Sequence, residues 1–196
     1  MPPRPLTEVM ARARCAGRVV LVEGASDAVA LETLAALEGI DLSGTEILPA
    51  GGAHAIGPVL VRFGPRGSGT FAGGLFDAAE AEFVLTGLRR AGFDCVPPGT
   101  ALARAGIHLC DRDLEDELLR ALGPEAALAL VEAEGEGPAL AVLRTRSAWR
   151  DRTLTDQLRR FLGERAGRKI RYAGLLTRAI PRGRHPAPLR AVLGLD

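Results

Sequence analysis

The 196-residue chain carries 25 basic and 24 acidic residues, a net charge of +1, and a hydrophobic share of 47%. That length and apolar share suit one globular domain with a substantial core and exclude a disordered chain. No apolar run approaches the roughly 18 residues of a membrane span, and the opening "MPPRPLTEVMARARCAG" lacks the apolar stretch of a secretory signal, so a soluble cytoplasmic protein is expected.

The first strand is "RVVLVEG", residues 18–24, an unbroken apolar run of the kind buried on both faces of a parallel sheet. Ser26 is the expected N-cap of the helix "SDAVALETLAALEG", which Gly39 stops. Glu23 then ends a buried strand, and Asp27 lies in the first turn of the next helix. "TEILPA" reads as a second strand, followed by the loop "GGAHAIG", a helix through "GPVLVRFG" and a flexible "GPRGSG". A third strand, "TFAGGLF", ends at Asp77 and is followed by an amphipathic helix over residues 78–91. "FDCV" is a candidate short strand. "GIHLC" is a further strand that ends at Asp111 and opens into the helix "DRDLEDELLRALG". This alternation predicts an α/β fold with a Rossmann-like parallel sheet flanked by helices. From residue 124 onward the periodicity is helical: "GPEAALALVEAEG", "GPALAVLRTRSAWR", "TLTDQLRRFLGERAG", "RKIRYAGLLTRAI" and a short helix after "PRGRHPAP". We expect a single domain over 1–196, with a core at about 16–123 and a basic helical C-terminal extension at about 124–196.

The charges are unevenly spread. Residues 1–143 hold 11 basic and 20 acidic side chains, a net −9, whereas residues 144–196 hold 14 basic and 4 acidic, a net +10. A basic tract attracts phosphates, and the acidic half would repel them unless cations were bound there. Of the 25 basic residues all but Lys169 are arginine, so one position is a candidate for needing an amine. Cys15, Cys95 and Cys110 are widely separated and outside zinc-ligand spacing; reduced structural thiols are expected.

Ligand sites of open parallel sheets lie beyond the carboxyl ends of the strands. Three strands deliver acids to that edge: Glu23 with Asp27, then Asp77, then Asp111, Asp113 and Glu115. Clustered carboxylates repel, and a hard divalent cation with oxygen ligands relieves the repulsion. Magnesium also shares its shell with phosphates, which suits phosphoryl transfer. The plainer reading gives Asp27, Asp113 and Glu115 to helix N-termini, which favour acids. His54 in its glycine-rich loop, His108 in its apolar strand, Trp149 and Tyr172 read as surface or packing residues.

"VVLVEGASDAVALETLA", "FAGGLFDAAE", "LCDRDLEDELLRALG" and "GRKIRYAGLL" resemble the TOPRIM domain of topoisomerases, bacterial primases and several nucleases. The form "LVEG" then Ser-Asp, a later "RDLEDEL" and a downstream lysine is most similar to the nuclease half of the OLD (overcoming lysogenization defect) family, over roughly residues 16–180. The resemblance implies that Glu23 is the TOPRIM glutamate, acting as metal ligand or base. It implies that Asp27, Asp77, Asp113 and Glu115 are metal ligands, with Asp111 a further candidate, and that Lys169 stands near the scissile phosphate. The second aspartate of the family's Asp-x-Asp is absent after Asp77, where the chain reads Asp77-Ala78-Ala79-Glu80; Glu80 is its candidate substitute. A literal Asp-x-Asp-x-Glu at Asp111, Asp113 and Glu115 offers the alternative alignment. OLD proteins also carry an ATPase half, but this chain has no "GxxxxGK[ST]" loop, so an ATPase is at most a separate partner.

The implied activity is magnesium-dependent endonucleolytic cleavage of DNA by a two-metal mechanism, with manganese able to substitute. The basic C-terminal helices would contact the nucleic-acid backbone through Arg168, Arg171 and the arginines of "LRRF". The alternatives are a non-catalytic TOPRIM-like module, binding nucleic acid or a partner through an incomplete metal site, and an RNA-processing TOPRIM nuclease.

Overall fold

The computed structural model describes residues 6–195. Helix α1 (Leu6–Cys15) precedes β1 (Arg18–Val22), followed by α2 (Ala25–Glu38), β2 (Thr45–Pro49), α3 (Ala53–Phe63) and β3 (Phe71–Asp77). A single 3-10 turn, Ala78–Glu80, leads into α4 (Ala81–Ala91), α5 (Pro98–Arg104), β4 (Ile107–Cys110) and α6 (Leu114–Leu122). The C-terminal part is helical throughout: α7 (Pro124–Ala133), α8 (Gly137–Thr145), α9 (Leu154–Gly163), α10 (Ala166–Ala179) and α11 (Ala187–Val192). No helix among the described residues is long and apolar enough to cross a membrane.

The four strands are parallel, in the order β2-β1-β3-β4. The last four residues of β1 are all buried, because both sheet faces are covered. Val20, Val22, Ile47, Leu75 and Cys110 pack on one face with α2, α6, α10 and other C-terminal helices. Val19, Leu21, Leu48, Phe76 and Ile107 pack on the other, with Val9 of α1, Ile56 and Leu60 of α3, and Leu88 of α4. The C-terminal helices therefore share one apolar core with the sheet, as Phe161, Tyr172 and Leu176 demonstrate.

Several local expectations fail. The loop expected over "GGAHAIG" gives way to α3 at Ala53, and the helix expected from residue 78 opens as a 3-10 turn. "FDCV" forms no strand: Asp94 accepts the Val96 amide in a turn, and Arg104 donates to the carbonyl oxygens of Asp94 and Val96. The backbone groups that would pair in a sheet are thus spent on a turn and a side chain. Ser26 is not the N-cap; α2 begins two residues earlier with Gly24 as its cap, and the Ser26 hydroxyl is buried and donates to Asp27.

The glycine pair in β3 sets the register of the rim. Val19 pairs with Phe71 but Val20 with Gly73, so the ladder between β1 and β3 slips by one residue there. Gly73 takes φ +149°, and a Cβ on it would lie 2.8 Å from the Gly106 carbonyl oxygen. Only glycine accepts that conformation and that approach. Beyond the slip, Val22 meets Leu75 and Asp77 meets Cys110.

Candidate active site

The chain leaves β1 for β2 on one side and reaches β3 on the other, so the carboxyl ends of β1 and β3 flank the crevice where the connections diverge. The register brings Glu23, Asp77 and the residues just after Cys110 to the same rim. The Glu23 carbonyl accepts the amides of Gly51 and Gly52, which fastens the β2–α3 loop over it. Its carboxylate is half-buried and Oε2 has no hydrogen-bond partner. Burial first, then the charge of Glu80, push the Glu23 pKa up; Lys169 opposes and Asp113 adds to the rise. Asp27, 5% exposed, accepts the Gly24 amide at 3.0 Å. Its pKa is pushed up to about 6 by burial, with Lys169 opposing and Glu115 adding.

Asp77 caps the 3-10 turn that carries Glu80. Its pKa is pushed up to about 8, first by burial and then by Glu23, Asp27 and Asp113. Glu80 Oε2 is buried and partnerless, and Glu80 is the strongest charge acting on Glu23. Three residues after Asp77, Glu80 therefore turns into the crevice and not out to solvent.

Asp113 is the N-cap of α6: Oδ1 accepts the Asp116 amide at 2.9 Å, and Oδ2 accepts Arg159 Nε at 2.6 Å. Burial alone would raise its pKa, but the hydrogen bonds from Arg159 and the Asp116 amide overcome it and hold the carboxyl below its usual range. Glu115, 6% exposed, pairs with Lys169 Nζ at 3.2 Å. Its pKa is raised by burial against that pull, and Oε1 has no partner. Burial would depress the Lys169 pKa, yet Glu115, Asp27 and Asp77 together raise it, so the amine stays charged. Asp111 does not join the group. Its side chain is 78% exposed and reaches Arg120 at 3.8 Å, because Cys110 is the last strand residue and the chain turns outward there.

The ordinary carboxyl value is 3.8, against about 8 for Asp77 and about 6 for Asp27 in the fold. The folded state keeps protons that the unfolded chain has already released, so their contribution to stability is fullest below about pH 4 and falls as pH rises through 6 and then 8. The unfolding midpoint in EDTA is expected to be higher at about pH 5.5 than at about pH 8.5, and Asp77→Asn should flatten the difference. A midpoint that rises toward pH 8.5 in thermal melts would contradict the repulsion.

Among the described residues, no three carboxylate, imidazole or thiol groups form a ready-made cation cage. The acids line one rim, with Lys169 on Glu115 and Arg159 on Asp113. The donor set nonetheless fits a hard divalent cation, since it offers carboxylate oxygens that are buried and unpartnered. All three cysteines are free. Next to the rim is a cleft of about 500 Å³ whose lining includes Arg112, Trp149, Arg152 and Arg160. Two arginines expected to meet the nucleic-acid backbone are otherwise engaged. Arg168 pairs with Glu136 at 2.7 Å and lies 3.8 Å over the Phe161 ring, and Arg171 pairs with Glu134 and Glu136. Arg159, one of the "LRRF" pair, holds Asp113; no spacing in the sequence marks that role.

The family model for the "Overcoming lysogenization defect protein-like, TOPRIM domain" matches residues 16–63, from the end of α1 through α3. The C-terminal region of the Burkholderia pseudomallei OLD protein superposes with a TM-score of 0.65 at 22% identity, covering 91% of this chain and 96% of that one. The chain has the TOPRIM fold of the OLD C-terminal region. The corresponding region of the Xanthomonas campestris pv. campestris OLD protein gives a TM-score of 0.68 at 21% identity, with 93% of each chain covered. No curated protein matches the chain. In this OLD-like TOPRIM fold the family match spans Glu23 and Asp27, while Asp77, Asp113, Glu115 and Lys169 lie outside it.

Proposed function

We propose that the protein is a divalent-metal-dependent nuclease in which Glu23, Asp27, Asp77 and Glu80 hold one ion and Asp113 and Glu115 serve a second. One observation carries the reading: Glu23 Oε2, Glu80 Oε2 and Glu115 Oε1 are buried at the rim and accept no hydrogen bond. A buried acceptor without a donor costs about 1–3 kcal/mol, and three such acceptors in one acidic crevice suit a cation. Magnesium, or manganese in its place, supplies Lewis-acid stabilisation of a phosphate and a water of lowered pKa when bound. Glu23, its carboxyl raised above the ordinary range, is suited to take a proton from an attacking water. Lys169 keeps its proton and offsets the negative charge that grows on the phosphate. Arg159 holds Asp113 in position by its hydrogen bond. DNA is the substrate we favour, with an ATPase acting in trans as a candidate partner and the cytoplasm as the location.

The absence of a ready-made cage among the described residues favours a second reading, a module that binds nucleic acid without cutting it. Supercoiled plasmid with magnesium, manganese or EDTA separates the two. Nicking in either metal that stops in EDTA is the expected result. Nicking that survives EDTA removes the metal role, and a mobility shift with no nicking in either metal establishes the second reading.

A further inference from the structure

The cleft beside the rim has a composition that the acids do not explain. Trp149 is the only tryptophan of a chain that is 4% aromatic, and it is only half-buried. It packs against the apolar core and also lines the cleft, where the Arg160 guanidinium lies 5.8 Å from its ring centroid. Arg112 and Arg152 line the same cleft, as do Asp113, Glu115 and Lys169, so the cleft opens directly onto the rim. Among the described residues Arg152 makes no ion pair. The pairs of Arg112 with Asp156 at 3.3 Å and Asp116 at 3.6 Å leave its own side chain half-exposed. The half-exposed pair with Asp156 is worth at most about 1 kcal/mol, and buried Asp116 keeps Arg120 at 3.0 Å when Arg112 turns to a phosphate.

We infer that this cleft takes an unpaired stretch of nucleic acid, with phosphates on Arg112, Arg152 and Arg160 and one base stacked on Trp149. The inference rests on the nuclease reading and extends it to the form of the strand: a single strand, or the unpaired arm of a branched duplex. A cleft of about 500 Å³ falls within the range of small-ligand sites, about 300–1,000 Å³. That holds a nucleotide, not a double helix whose major groove alone is about 12 Å wide. A tryptophan face reaches a base only when the base is out of its pair, and stacking of this kind tolerates any sequence. Arginine beside an aromatic ring is the usual pairing along single-strand grooves, where it serves both phosphate and π-face. The acids do not close the path, because Asp156 is shared with Arg112 and Thr153, Asp113 with Arg159, and Glu115 with Lys169.

With a single tryptophan, the emission of the full chain reports from this cleft alone. It is titrated in EDTA, where nothing is cut, with oligothymidylate, oligouridylate and a duplex, each of about twelve residues per strand. Quenching by one or both single strands at lower concentration than the duplex is expected, the tighter of the two naming the preferred sugar. Trp149→Ala should weaken single-strand binding roughly tenfold or more, read by anisotropy of a labelled strand, while Trp149→Phe keeps most of it. Arg152→Ala should weaken it too and lower the salt dependence by about one phosphate contact. Duplex that quenches as well as single strand, or single strand that binds without quenching and ignores Trp149→Ala, overturns the inference. So does failure of every oligonucleotide to bind. Quenching without plasmid nicking in either metal would remove the nuclease reading and keep the cleft; nicking without quenching would do the reverse.

Discussion

Glu23→Gln is expected to cut metal-dependent nicking by about a hundredfold or more, while the variant melts no lower than the wild type in EDTA. The carboxylate sits at the end of β1 in a partly dry crevice and faces Glu80 and Asp113, which is why its pKa is raised. The amide keeps the shape but gives up the negative charge a cation needs and the basicity a proton acceptor needs. It also ends the repulsion with Glu80 and offers an N–H to that partnerless carboxylate. Activity and stability should therefore move in opposite directions, as they do where a site is built against the preference of its fold. Plasmid nicking and thermal melts on one preparation decide the matter. An active Glu23→Gln within a few-fold of wild type would end the proposal that this glutamate does the chemistry.

Lys169→Met carries the second large effect. Met fills much of the same volume, so the change isolates the charge. Glu115, 6% exposed, then loses its 3.2 Å partner, and Asp27 and Asp77 lose the cation that holds their pKa values down. Breaking a fully buried pair costs about 3–5 kcal/mol and an exposed one at most about 1; with the lysine side chain 35% exposed, a loss of about 2 kcal/mol near pH 8 is expected. Glu115 already has a raised pKa, so its stranded form takes a proton as pH falls, and the penalty should shrink on acidification toward about pH 5. Urea unfolding at the two pH values tests this, and a penalty that grows on acidification would contradict it. Lys169→Arg keeps the charge and most of the stability but should still lose most nicking activity, since a planar guanidinium does not place its charge where an amine does.

The sheet was legible because its strands are written without ambiguity. "VVLV" has no polar interruption, and Gly39 and the Asp113 cap mark helix boundaries in residue type alone. Strand order was not legible, since nothing local says that β3 lies beside β1, and the switch point that makes the crevice follows from that order. α5 and the turn at Asp94 escaped notice because Arg104 satisfies carbonyls eight and ten residues away, a contact no periodicity reveals. The acids converge as their strand-end positions implied, except Asp111, where one residue past β4 is enough to turn a side chain outward. Glu80 could be named as a candidate but not decided, because a 3-10 turn and an α-helix send the third residue in different directions. The excess of arginine in the C-terminal part pointed toward phosphates, yet Arg168 and Arg171 are spent on Glu134 and Glu136, and Arg159 on Asp113.

The Lys169–Glu115 pair also makes the crevice chemically addressable. With every other basic side chain an arginine, acylating reagents find one ε-amine, and it stands among the acids. Its raised pKa slows such a reaction, and the competing amine is the chain's α-amine, which lies in a different peptide. A mass increment on the peptide that carries Lys169 therefore counts occupancy of this crevice, and any compound that settles over the amine will be seen as protection from that increment.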